Sequence, residues 1–395
     1  MTALDIAAAP SPTAALLWAA SRPRPDPHEI ALALDGGADL RHATDIAVAQ
    51  RLSPLLWRAL ATAPPPSPDA EPDADSWRQE LRADAARCRA QALIVLPLFA
   101  DAGLAPLVAA GYEPVVMKGA ALTDRYPEPG LRPMDDVDVL LPRREHDGAI
   151  RVLESAGWQR RDVPGRHYET VLTHPEVPGL PLELHRAFAT WGGRANRLSA
   201  ATLWERRQPR AIGGVDAFGF SAEDEIVTLA AHAAKPFHVF SRLLWITDLA
   251  VVIDAAATAG TPIDWTRVEA LTQAARCQTA VAVALGLAQR LGAPSPPELR
   301  RVPATGARLA ALAPVLAPEW PVTERDVGLR NRLRYAFVDD GRLRVALLGE
   351  SVVDTSPVIA TRNAAATSVR LVRRWRQLRR SAEGGGEELG HGVEP

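Results

Sequence analysis

The stretch VVMKGAALTDRYPEPGLRPMDDVDVLL, residues 115–141, sets the fold class of this chain. It opens on a β-branched run that ends at Lys118-Gly119 and closes on a second run, Val137 to Leu141, stopped by Pro142. Such runs, bounded by Gly and Pro, read as strands, predicted here over 113–117 and 137–141. Between them GAALTD suggests a helical turn and RYPEPG a loop. Asp136 and Asp138 stand two positions apart. On a strand both carboxylates then project from one face, about 7 Å apart at Cα, while Val137 and Val139 turn into a core. Two carboxylates so placed suit one or two Mg2+, an ion that takes oxygen ligands and shares them with substrate phosphates. In that register Asp135 falls on the opposite face, as a helper or cap.

The neighbouring residues extend the site. Gly119, in Lys118-Gly119-Ala120, lets the backbone approach a phosphate, and the helix start after it presents free N–H donors. A third strand is predicted over 180–185, where LPLELH sets Glu183 between two leucines. A charge whose neighbours are buried is expensive unless a cation compensates it. His185 shares the face of Glu183 and can orient it or touch a base. The planar fork of Arg132 suits phosphate oxygens. Further along, SAED at 221–224 is a capping box that starts a helix. More helices are expected over about 241–257, 264–291 and 305–315.

Toward the N-terminus the pattern is helical. Pro10, Pro12, Pro23, Pro25 and Pro27 predict a loosely ordered lead-in over the first 27 residues. A short helical pair is expected over 28–61, and the Pro-rich acidic segment 62–75 reads as an exposed linker. A long helix then runs from Asp75 or Ser76 to near Gly103, with Pro97 kinking it or closing its last turn. The expected organisation is α+β. A helical region spans 1–104, an α/β core 105–219 and a second helical domain 220–380, before a Gly/Glu tail, 381–395, expected to be disordered. The Arg-rich segment 362–380 has the pattern of an amphipathic basic helix that contacts RNA, anionic lipid or an acidic partner.

Composition narrows the function classes. Over 395 residues the formal net charge is −2, so no global field draws the chain to nucleic acid or membrane. The two cysteines, Cys88 and Cys277, build neither a disulfide framework nor a Cys-based zinc site, which points to a reducing cytoplasm. No apolar run in the sequence reads as the roughly 18 to 20 residues of a membrane span. Only Lys118 and Lys235 are lysines, against 43 arginines. Those two positions are candidates for a compact three-donor ammonium where a planar fork would not fit.

The order of parts resembles the polymerase-β-like nucleotidyltransferase superfamily: strand, Gly turn, helix, a strand with two acids, a strand with one. Residues 115–141 look like an uncharacterised nucleotidyltransferase family of bacteria, and Leu182-Glu183-Leu184-His185 matches that family's third acidic strand. His232, Lys235, Arg242 and Asp248 resemble the helical segment that comes after it. The resemblance implies a Mg2+-dependent enzyme, with Mn2+ able to substitute, that moves a nucleoside monophosphate from an NTP to an acceptor. Asp136, Asp138 and Glu183 would be catalytic and metal-binding. Lys118, Gly119, Ala120, Arg132, His185 and Lys235 would bind the nucleotide. A small molecule, a modified peptide and tRNA all remain open as acceptor. Ala120 departs from the superfamily, which carries Gly or Ser there and so a hydroxyl in some members, and Lys118 takes over that contact. Two alternatives stand beside this reading: a degenerate binding module that keeps the fold, and an RNA-directed toxin-like transferase that holds tRNA through 362–380.

Overall fold

A computed structural model describes residues 2–3, 9–62, 74–161, 169–187, 198–235, 238–302, 307–322, 333 and 336–341. The linker interior, the Arg-rich segment 362–380 and the tail lie outside the described residues. By its contacts the chain divides into two units, Met1–Asp339 and Asp340–Pro395, and the first holds the sheet and the helices packed on it.

The fold is α+β. Its main sheet uses β1 (Val115–Met117), β2 (Val137–Leu140), β3 (Gln159–Arg161), β4 (Glu169–Thr173), β5 (Leu182–His185), β6 (Gln208–Ile212) and β7 (Val215–Gly219). Their order across the seven-stranded sheet is β3-β4-β5-β2-β1-β7-β6. The predicted strands are β1, β2 and β5, each trimmed by one or two residues. β2 is central, antiparallel to β1 and parallel to β5. Val137, Val139, Leu182 and Leu184 are fully buried, as alternation required, and pack with Val116, Leu153, Phe99 and Leu104.

Against that core lies a long helical run, which corrects two expectations. It starts at Ala74–Ala90 and ends with Ala105–Ala109, well past Gly103, because π turns at Gln91–Val95 and Ala100–Leu104 flank Pro97 and precede Pro106. A proline removes one i→i−4 bond, and a π turn absorbs the misfit without ending the helix. By length and composition the segment Ser76–Ala109 is also apolar enough to cross a membrane, contrary to the expectation of no such run. Here Leu96, Phe99, Ala100, Leu104 and Leu107 are buried in the sheet core. Leu93, Ile94, Leu98 and Val108 are exposed.

The N-terminal segment is another correction. Pro12–Ala20 forms α1, whose Leu16 and Leu17 are at most 1% exposed. The prolines flank the helices here: Ser11 caps α1 with Pro12 in its first turn, and Asp26 caps the next helix, Pro27–Asp35, in the same way. These helices share one hydrophobic core with the C-terminal ones, Ala222–Ala233, Leu243–Thr258 and Gln278–Arg290. Trp18 Nε1 donates to the Pro318 carbonyl at 2.8 Å, tying regions 300 positions apart. The expected helix over 264–291 is two helices, Trp265–Ala275 and Gln278–Arg290, because Arg276 turns left-handed at φ 52°.

Candidate active site

The strand register assembles the site. Met117 on β1, Asp138 on β2 and Glu183 on β5 stand opposite one another across three strands. On β4, Glu169 stands opposite His185. The strand therefore carries Asp138 into the sheet, where its side chain is only 3% exposed. Lys118 Nζ donates to Asp138 Oδ1 at 2.5 Å, and His185 Nε2 donates to the same oxygen at 2.7 Å. His185 Nε2 also lies 3.6 Å from Glu169 Oε2 and 3.7 Å from Glu183 Oε2. Lys118 reaches this place from a left-handed backbone, φ 52°, at the head of the four-residue turn Lys118–Ala121. Non-glycine residues seldom adopt that conformation.

The charges in this cluster are uneven. Burial would raise the Asp138 carboxyl, but Lys118 and His185 outweigh it and hold it below the usual carboxylate range. Asp136 goes the other way: burial, then Asp138 and Glu183, push it up to about 7. For Lys118 and His185 burial acts to lower the pKa, yet the acids raise both. Burial and the Lys118 charge bring Lys235 down to about 7 against the pull of Asp138, Glu169 and Glu183. The only two lysines of the chain thus sit in one electrostatic cluster.

This donor set fits a divalent cation. Asp138, Glu183 and His185 each offer a ligand atom, all within 4.8 Å of one another. Asp136, raised to about 7 by burial and by the acids Asp138 and Glu183, lines the cavity with Asp138 and offers a further carboxylate there. Two or three carboxylates with one imidazole is a set that Mg2+ or Mn2+ accepts through oxygen.

A cavity of about 410 Å³ opens in front of β2, lined by Lys118, Gly119, Arg132, Asp136 and Asp138 among others. Five of the predicted residues thus meet there. Glu183 and His185 stand beside Asp138 and outside that lining. Ala120 is buried in the sheet core. Asp135 is a correction: it lines the same cavity, because β2 begins only at Val137 and strand alternation does not reach position 135. There it pairs with Arg51 and lies 3.9 Å from Arg242.

Arg132 grips Asp248 with two bonds, Nε to Oδ1 at 2.7 Å and Nη2 to Oδ2 at 2.9 Å. Tyr126 Oη donates to the same Asp248 Oδ1 at 2.7 Å. The loop after β1 is in this way locked to helix Leu243–Thr258, and Gly119 lies close to it, where a Cβ would stand a tight 3.1 Å from Arg132 Nη1. Gly130, at φ 87°, makes the loop's turn where a Cβ would collide with Arg89.

Several site residues carried no sequence signal that singled them out. Glu169 reaches the cluster only through the β4–β5 pairing. Arg51 is one arginine among 43, brought in by its left-handed cap at the end of helix Leu40–Gln50. His238 and Trp245 line the cavity as well. His232 lies with them and was expected only through the resemblance.

A family profile described as uncharacterised nucleotidyltransferase matches residues 36–293. Among solved structures the chain is similar to the antibiotic-resistance factor ANT(2'')-Ia in solution, at 18% identity and a TM-score of 0.33, over 45% of this chain and 89% of that one. No curated protein matches.

Proposed function

The chain belongs to the uncharacterised nucleotidyltransferase family, and on that premise we propose a Mg2+-dependent enzyme that moves a nucleoside monophosphate from an NTP to a hydroxyl or phosphate acceptor. One observation carries this most: Asp138 faces the cavity at the point where Glu183, His185 and Lys118 converge. Asp136, Asp138 and Glu183 would hold the metal. When bound, it would neutralise phosphate charge and make an acceptor hydroxyl more acidic.

The residues of the chain do the rest. Lys118, on the cavity wall beside Asp138, would supply an ammonium to the phosphates. Lys235, brought down to about 7, adds partial positive charge to the same electrostatic cluster. His185 holds Asp138 in place, and Glu183 accepts the acceptor's proton. The acceptor oxygen attacks the α-phosphorus, the bond from that phosphorus to the bridging oxygen breaks, and pyrophosphate leaves with the electron pair. Positioning and charge neutralisation account for most of such catalysis. Arg132, with its fork on Asp248, is a buttress of the loop under the phosphates in this arrangement.

The 2.5 Å ion pair of Lys118 with Asp138 favours one alternative, a non-catalytic module in which the lysine replaces the metal for good. Turnover separates the two. With Mg2+, α-labelled NTP and fractions of cell extract, the enzyme transfers label to an acceptor and releases pyrophosphate, and Asp138→Asn abolishes both. Absence of label transfer with every NTP and fraction would favour the module. Release of the γ-phosphate alone would mean different chemistry.

A further inference from the structure

Part of the cavity lining is aromatic. His238 stacks on Trp245 with ring centroids 4.5 Å apart and planes 30° apart. His232 meets both rings edge-on, at 4.7 Å from His238 and 5.5 Å from Trp245. The guanidinium of Arg242 lies over Trp245 at 5.5 Å. All four residues line the same cavity as Lys118, Asp136 and Asp138. From these rings and the cavity they share with the acids, we propose that His238, Trp245 and Arg242 form the subsite for the nucleobase of the donor NTP. This rests on the nucleotidyl-transfer reading and deepens it.

Two chemistries meet in one pocket. Asp136, Asp138 and Lys118 suit metal and phosphate, while the rings and the guanidinium plane are surfaces on which bases stack. A nucleoside triphosphate calls for both, and 410 Å³ falls in the usual range of small-ligand sites. The rings face that ligand uncharged: burial, with the charge of Lys235, lowers the pKa of both His232 and His238. Neutral imidazoles beside an indole stack on a base without adding charge next to the triphosphate.

The backbone supports a built wall. Val239 and Phe240 are held at φ 39° and 57°, a left-handed conformation that a β-branched valine adopts only at a cost. Their surroundings enforce it, since Trp320 Nε1 donates to the Val239 carbonyl at 2.7 Å and Phe240 packs on Phe337 at 5.2 Å. The strained pair fixes His238 just ahead of it and Arg242 just after it, on the two sides of one tight turn.

The test is calorimetric, with wild type, His238→Ala, Trp245→Leu and Trp245→Phe, each checked for a native melting curve. Each is titrated with the four NTPs and with inorganic tripolyphosphate, all in Mg2+. The subsite predicts that His238→Ala and Trp245→Leu weaken the preferred NTP roughly tenfold or more while tripolyphosphate binding stays within about twofold. Trp245→Phe retains most of the NTP affinity. If the wild type binds an NTP and the two variants bind it equally well, the base lies elsewhere and the inference fails while nucleotidyl transfer stands. If both ligands weaken alike, the wall acts through the phosphate end, which also overturns the subsite. If the wild type binds no NTP, the transfer reading and the subsite fall together.

Discussion

Lys118 Nζ lies 2.5 Å from Asp138 Oδ1, a cation placed on the carboxylate that the sheet carries into the cavity. The lysine side chain is 18% exposed and the aspartate 3%. Without metal, this contact and that of His185 are what compensate a buried charge. Removing one partner of a buried pair leaves the other uncompensated.

Lys118→Met should therefore destabilise the metal-free protein by on the order of 2–4 kcal/mol, the partial exposure of Lys118 keeping it toward the low end. Saturating Mg2+ should recover much of that loss by supplying the missing charge. Thermal unfolding of both proteins with and without Mg2+ measures it. An equal deficit under both conditions would mean that metal does not share the Asp138 carboxylate.

Asp136 gives a pH dependence of known sign. Its folded pKa of about 7 lies above the ordinary carboxyl value of 3.8, so between these values the folded state binds more protons than the unfolded one. Stability from this group is fully present below pH ~4 and declines as pH rises toward 7, by up to a few kcal/mol. Asp136→Asn should remove the decline and be more stable than wild type at pH 8 in EDTA. Mg2+ affinity of the wild type should rise from pH 6 to pH 8 as the proton leaves. Denaturant melts across that range, with the chelator present, read out the first effect. Parallel pH profiles of the two proteins would contradict it.

Asp248 is the brace between loop and helix. It takes the Arg132 fork and the Tyr126 hydroxyl while 1% exposed. Asp248→Ala should cost about 3–5 kcal/mol by leaving Arg132 buried and unpaired. Tyr126→Phe, which loses one hydrogen bond, should cost only about 0.5–1.5 kcal/mol. Arg132→Lys should not restore the brace, because an ammonium cannot span both carboxylate oxygens. Urea midpoints of the three variants test the ranking.

The sheet and its acids were legible because their signals are local. A β-branched run with carboxylates two apart needs only strand alternation to place Asp138 and the valines. Glu183 was placed by its leucine neighbours. What escaped depends on long-range pairing. Glu169 matters because β4 pairs with β5, and Arg51 because an N-terminal helix packs on the C-terminal ones. Proline misled twice: Pro12 and Pro27 near the N-terminus start helices, and Pro97 lies within a run kept continuous by π turns. Asp135 shows the limit of periodicity, which fails two residues outside the strand.

The central claim is that Asp136 and Asp138 hold the metal that brings an NTP to this cavity. Calorimetric titration of ATP, GTP, CTP and UTP into the wild type and into Asp136→Asn/Asp138→Asn, with Mg2+ and with EDTA, tests it without knowledge of the acceptor. The account predicts saturable binding of at least one nucleotide by the wild type in Mg2+, weakened at least tenfold by EDTA and by the double substitution. Binding of equal strength in EDTA, or in the folded double variant, would contradict it.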